Sequence, residues 1–333
     1  MGLKTWLGAS RAPDHGDRHT DVQALLDAIE RLEAQQRRTA DQIKRLLRDQ
    51  ERLMARVDDG AKTESKWRKI FNHQLSALVR HVCLPLDRLP PSHALNARRF
   101  RLRSQNEEDG ILYALLERAG WGRRRFVEIG SGKSGGTAAS LAHDCGWSGL
   151  MIELSAASVE LARRKFAGNR GVTVVRERVD PQNVNAILTD HGYGGDVDLL
   201  SIDIDSYDYW VLEALTAVSA RVLVLEYNAL FGPERRVTIP PNQSLDSTPK
   251  GYGGASLAAL EALARTKGYR LVACENAGVN AFFLRDDVAP GTEGVTPREA
   301  FKPLRSRTDL EDAEVCTDIY AAVERLRLPL VDV

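Results

Sequence analysis

The sequence predicts an α/β fold, a mostly parallel sheet of seven strands ending in an antiparallel hairpin, preceded by an N-terminal helical coiled coil. Three observations predict it. From about Arg99 onward, short β-like runs alternate with helical stretches. The last two runs, Tyr269–Cys274 and Asn280–Leu284, are separated by only a few residues including Gly278, as in a hairpin. Residues Asp21–Asp58 lack Gly and Pro and carry an apolar seam.

That seam steps by four and three through Leu25, Ile29, Leu32, Ile43, Leu46, Leu53 and Val57, with Gln36, Thr39 and Gln50 in the same register. A repeat of 3.5 residues is the mark of a coiled coil and predicts a homo-oligomer; a long helix folded back on its own domain is the alternative. Asp59-Gly60 suits the helix end. A second helical stretch, Glu64–His81, carries Trp67, Ile70, Phe71, Leu75, Leu78 and Val79 on one face and reads as packing, and Leu89-Pro90-Pro91 reads as a linker. The division predicted is 1–20 disordered, 21–60 coiled coil, 61–98 helical linker, 99–290 catalytic domain and 291–333 helical extension.

Within the catalytic domain the expected order is a helix at Glu107–Ala119, strand Arg125–Ile129, helix Gly135–Cys145, strand Gly149–Glu153 and helix Ala156–Ala167. Strand Val172–Arg176, helix Asn183–Thr189, strand Val197–Ile204, helix Tyr209–Thr216 and strand Val222–Glu226 follow. A Pro-rich loop, Phe231–Tyr252, placed as a lid, precedes a helix at Ser256–Lys267 and the hairpin, and a last helix is expected at Asp309–Arg327.

Bulk properties narrow the function. Lys plus Arg and Asp plus Glu both number 46, so net charge is zero, which argues against a nucleic-acid binder with a broad basic face. The four cysteines (83, 145, 274, 316) form no CxxC pair and read as reduced thiols in a cytoplasmic protein. No run of about 18 apolar residues offers a membrane span, and the first 20 residues lack an apolar signal core.

The sharpest motif is Phe126-Val127-Glu128-Ile129-Gly130-Ser131-Gly132-Lys133-Ser134-Gly135-Gly136, a strand running into a glycine turn that opens a helix. Read literally it is GxGxxG, a weak dinucleotide signal on its own. Glu128, two residues before the first glycine, suits the cationic amino group of S-adenosylmethionine and would repel a pyrophosphate. Glu153 ends strand two, where a carboxylate accepts hydrogen bonds from ribose hydroxyls. Nicotinamide enzymes share that second acid.

Ser104-Gln105-Asn106-Glu107-Glu108-Asp109 resembles the SQxxED lead-in of FkbM-type methyltransferases. Val127–Gly132, Asp198–Asp205, Val224–Asn228 and Asn280–Arg285 resemble that family's later motifs, over roughly Arg99–Asp287. The resemblance implies a Rossmann-like, seven-stranded class I methyltransferase fold and O-methylation of a hydroxyl on a glycan or natural product. It implies cofactor contacts from Gln105, Glu128, Gly130, Ser131, Gly132, Glu153 and Asp203. Where the family has Lys-Ile-Asp-Val-Glu-Gly, this chain has Ser201-Ile202-Asp203-Ile204-Asp205-Ser206, so fold transfers more safely than substrate.

Strand alternation puts Asp203 and Asp205 on one face, and Glu226-Tyr227-Asn228 ends strand five at the same edge. Asp203, Asp205, Glu226 and Asn228 are therefore the catalytic candidates. Two uses are open: Asp203, Asp205 and Glu226 hold Mg²⁺, or one carboxylate is the general base. His143 and His191 are placed away from that edge. The partners expected are a small-molecule or glycan acceptor and further copies of the chain. Transfer to nitrogen, protein or lipid, a NAD-dependent oxidoreductase and a non-catalytic oligomeric scaffold are the competing readings.

Overall fold

The computed structural model describes residues 91–244, 248–249, 251–305 and 319–333. The expected coiled coil, the stretch Glu64–His81 and the first part of the helix Asp309–Arg327 lie outside the described residues.

Helix α1 (Pro91–Ala97) and helix α2 (Glu108–Ala119) lead into β1 (Arg125–Ile129). The chain then alternates through α3 (Ala139–Asp144), β2 (Ser148–Glu153), α4 (Ala156–Phe166), β3 (Val172–Arg176), α5 (Val184–Asp190), β4 (Gly195–Ile202), α6 (Asp208–Ala214) and β5 (Val218–Glu226). After β6 (Val237–Thr238) come α7 (Leu257–Thr266), β7 (Tyr269–Cys274), β8 (Asn280–Arg285), α8 (Pro297–Ala300), α9 (Ile319–Leu326) and β9 (Val331–Asp332). Seven strands form one sheet in the order β3-β2-β1-β4-β5-β8-β7, parallel except where β8 runs against β5 and β7. The Rossmann-like seven-stranded sheet and its terminal hairpin are thus observed.

Alternation along the strands divides the core into two layers. Val127, Leu200, Leu223 and Phe283 face one layer, covered by α5, α6 and α7. Phe126, Leu199, Val224 and Phe282 face the other, covered by α2 and α3. Ser155 and Ser256 cap α4 and α7, each accepting a bond from the backbone N–H three residues on.

Several features differ from the expectation in ways that bear on the site. Helix α3 starts at Ala139, not Gly135, because Gly135 (φ +92°) and Gly136 (φ +60°) occupy left-handed conformations that a helix excludes. Strand β4 ends at Ile202, and Asp205 is left-handed at φ +58°, so Asp203 and Asp205 meet through a turn and not through alternation. Strand β5 begins four residues early, at Val218, paired with Gly195 of β4. The excursion 231–252 contains β6, which pairs antiparallel with β9 at the end of the chain. No local pattern could show that pairing, because its partner lies about ninety residues away.

Among the described residues no helix is long and apolar enough to cross a membrane. Helix α1, expected in the linker, packs on β7 through buried Leu95 and an Asn96 amide that donates to the Cys274 carbonyl at 2.6 Å.

Candidate active site

Strand order reverses between β1 and β4, so the loops leaving their carboxyl ends diverge and open a crevice, the usual ligand position in such sheets. The face that carries Phe126, Leu199, Val224 and Phe282 brings Glu128 of β1, Glu226 of β5 and Asn280 of β8 to this edge, and Asp203 follows directly after the last residue of β4.

The glycine loop is shaped by close contacts. The Gly130 and Ser131 amides donate to the Ile152 carbonyl at 2.9 and 3.2 Å. A Cβ on residue 130 would overlap the Asp203 carbonyl oxygen, so only glycine lets the loop cross the end of β4. Glu128 is 1% exposed, and its two oxygens accept the amides of Thr137 and Ala138 at 3.0 and 2.9 Å. Burial pushes this carboxyl up to about 7, against the opposing pull of those amides. Both oxygens accept bonds from the residues leading into the following helix, on the same carboxylate that the sequence assigns to a ligand's amino group. A side chain on Gly136 would displace them. Glu153, at the end of β2, accepts the Gly132 amide at 2.8 Å and the Ser155 amide at 2.7 Å. Ser131 is 1% exposed with its hydroxyl unpartnered.

The acids of the lead-in segment are framework. Asp109 is fully buried and accepts from the amides of Leu102, Arg103 and Ser104 and from the Ser104 hydroxyl, at 2.6 to 3.0 Å. Glu108 accepts the Asn106 amide at 2.7 Å and the Asn280 side-chain amide at 3.1 Å, pinning the turn to β8. Gln105 is left exposed at the tip and lines the cavity.

That cavity, about 490 Å³, is bounded by Gln105, Asp203, Asp205 and Glu226 and by the Gly251–Gly254 segment. Its volume suits a small ligand. Single oxygens of Asp203, Asp205 and Glu226 lie within 4.8 Å of one another. Asp203 and Glu226 are thus close-set carboxyls. Burial holds both well above the usual carboxylate range, and neighbouring negative charge adds to the effect. Among the described residues no cation forms a salt bridge with either. A carboxyl pair of this kind holds a proton more tightly than either acid would alone in water.

Asp208, which sequence reading passed over, is fully buried and accepts the Ile204 and Ser206 amides at 2.9 and 3.0 Å. It holds the turn that presents Asp203 and Asp205. Its signal was an acid in the first turn of the helix after β4. Asn228 proves to be a brace: its amide donates to Gly251 and Gly253 carbonyls at 2.6 and 2.8 Å and accepts the Leu230 amide at 3.0 Å. Glu128, Gly130, Ser131, Gly132 and Glu153 do not line the cavity; they form the adjoining edge over β1 and β2. His143 is exposed beside Asp144 and His191 follows α5, neither at this edge.

No protein-family model and no curated protein sequence matches the chain. Among solved structures it is similar to the N-terminal domain of EvdMO1 with SAH bound, at 18% identity and TM-score 0.36, over 53% of this chain and 79% of that one. It is similar to the CurJ carbon methyltransferase at 12% identity and TM-score 0.38, over 72% and 70%. A S-adenosylmethionine-dependent methyltransferase from Clostridium acetobutylicum is similar at 11% identity and TM-score 0.35, over 53% and 89%.

Proposed function

We propose that this chain is an S-adenosylmethionine-dependent methyltransferase that methylates a hydroxyl of a sugar, glycan or related metabolite. The observation that carries the reading is the engagement of Glu128 with Thr137 and Ala138. In a dinucleotide enzyme the pyrophosphate occupies the helix start after the glycine loop. Here the chain's own carboxylate fills that place, so the nicotinamide reading loses its phosphate site.

The residues around the crevice fit the proposed cofactor. Glu153 keeps acceptor capacity for two ribose hydroxyls beyond its bonds to Gly132 and Ser155. Gly132 has no atom within 4 Å of where a Cβ would stand, which leaves the loop open to a ligand. When bound, the cofactor supplies a methyl group already activated on a sulfonium, and its positive charge suits an acidic edge. The protein's part is to align an acceptor in the cavity, exclude water and remove one proton. The Asp203–Glu226 pair is placed to take that proton from an acceptor hydroxyl in the cavity. Gln105, which also lines the cavity, is assigned to orienting the bound molecules.

A second reading rests on the same three carboxylates. Asp203, Asp205 and Glu226 are hard oxygen donors spaced for a Mg²⁺-sized ion, which would lower the pKa of the acceptor hydroxyl. Residues 21–60 are proposed to join copies of the chain, outside the described residues.

The test is mass spectrometry of a panel of mono- and oligosaccharides incubated with S-adenosylmethionine, with and without chelator. A gain of one methyl group, absent with Glu226→Gln, supports the reading. Transfer to amines alone would move the function to the nitrogen class.

A further inference from the structure

The carboxyl-terminal residues form a small core of their own with the excursion between β5 and α7. Phe231, Val237, Ile239 and Tyr252 from the excursion pack on Ile319 and Val323 of α9. Strand β9 pairs with β6, matching Val331 to Thr238 and Asp332 to Val237, and the Val333 amide donates to Arg236 at 3.0 Å. The Tyr320 hydroxyl donates to the Phe231 carbonyl at 2.6 Å, and the Arg235 guanidinium stands 4.7 Å from the Tyr320 ring centre.

Two residues belong to both this core and the cavity. Tyr252 lines the cavity and its hydroxyl donates to the Pro329 carbonyl. Leu230 lines the cavity and packs on the same cluster. Tyr207, in the turn that presents Asp205, packs there too and donates to the Gln243 carbonyl. No hydrogen bond runs from 319–333 to the glycine loop or to Glu153 among the described residues.

We propose that residues 319–333 are an acceptor-selectivity element: they fix the wall of the cavity on its Leu230–Tyr252 side and leave the β1–β2 edge independent. This rests on the methyltransferase reading for the identity of the acceptor, but not for the coupling of tail to wall. Changes in the tail then alter which acceptor is used, with cofactor affinity preserved.

The experiment uses the full chain with Val323→Asp, which puts a carboxylate into the small core, and Tyr252→Phe, which removes only the bond to Pro329. Hydrogen exchange is followed over 229–244 and 251–256, and S-adenosylhomocysteine affinity by calorimetry. The expected result for Val323→Asp is exchange about tenfold faster or more in those segments, with affinity within about twofold. Tyr252→Phe should give a smaller rise confined to 251–256. Rank order across the saccharide panel should change in both variants. Unchanged exchange in both, or a loss of affinity of about tenfold together with faster exchange throughout β1, β2 and β4, would overturn the proposal. If the unsubstituted chain failed to bind S-adenosylhomocysteine, the methyltransferase reading would fall, while exchange in the wall would still decide the role of the tail.

Discussion

Glu128 and Ala138 are joined across the glycine loop, the carboxylate accepting the Ala138 amide at 2.9 Å while its other oxygen takes Thr137. The bond closes the loop onto the start of α3. The proposed choice between two cofactor classes that share the GxGxxG spelling rests on this acid.

This acid also makes stability depend on pH. Glu128 and Glu275 are held at about 7 and Asp208 at about 6 by burial. Each binds its proton more tightly folded than unfolded, so its contribution is complete below roughly pH 4, the unfolded carboxyl range. It is lost as pH rises through those folded values. Thermal denaturation should give a Tm that falls between pH 5 and pH 8, with a shallower fall in Glu128→Gln; equal slopes would count against the assignment.

Gly130→Ala and Gly132→Ala should differ sharply. Both glycines have positive φ, a backbone penalty of about 1–2 kcal/mol for alanine. At 130 the added Cβ also meets the Asp203 backbone oxygen, whereas at 132 it meets nothing within 4 Å. Denaturant titration should place Gly130→Ala well below Gly132→Ala in stability. Similar midpoints would mean that the loop does not cross β4 as described.

Asp203→Asn and Glu226→Gln should lower kcat by about 10²–10⁴-fold, the range for loss of a general base. S-adenosylhomocysteine affinity should hold better in Glu226→Gln than in Asp203→Asn, because Asp203 lies beside the glycine loop. Steady-state kinetics paired with calorimetry separates the two effects. A Glu226→Gln enzyme with unchanged kcat would remove the carboxyl pair from the chemistry.

Asp208→Asn should act through the turn and not through the reacting atoms. Asparagine can still accept one of the two bonds from Ile204 and Ser206, so a stability loss of about 1–3 kcal/mol is expected. Catalysis should fall without a new pH dependence, read from the pH–rate profile.

Much of this was legible in the sequence. Strands β1, β3 and β7 match the predicted ranges because buried apolar runs bounded by turn residues leave little choice. The gathering of Asp203, Asp205 and Glu226 around one cavity was also readable, since they follow the ends of neighbouring strands; Gln105 joins them from the lead-in segment, which the sequence did not place there. What local pattern could not reveal was how each polar group is spent. Glu128 and Asn228 look identical in sequence whether they face a ligand or a backbone amide, and only the packed loop decides. Nothing in the sequence shows that Asp109 and Asp208 are buried among backbone donors. The β6–β9 pairing depends on contact between distant segments, each only two residues long.

The central claim is the identity of the cofactor, and titration of the purified chain with S-adenosylhomocysteine beside NADH, repeated with Glu153→Ala, tests it most directly. The account predicts micromolar binding of S-adenosylhomocysteine and none of NADH. Glu153→Ala should weaken that binding by about tenfold or more, the worth of hydrogen bonds to a charged group. Preferential binding of NADH, or no binding of S-adenosylhomocysteine, would contradict it.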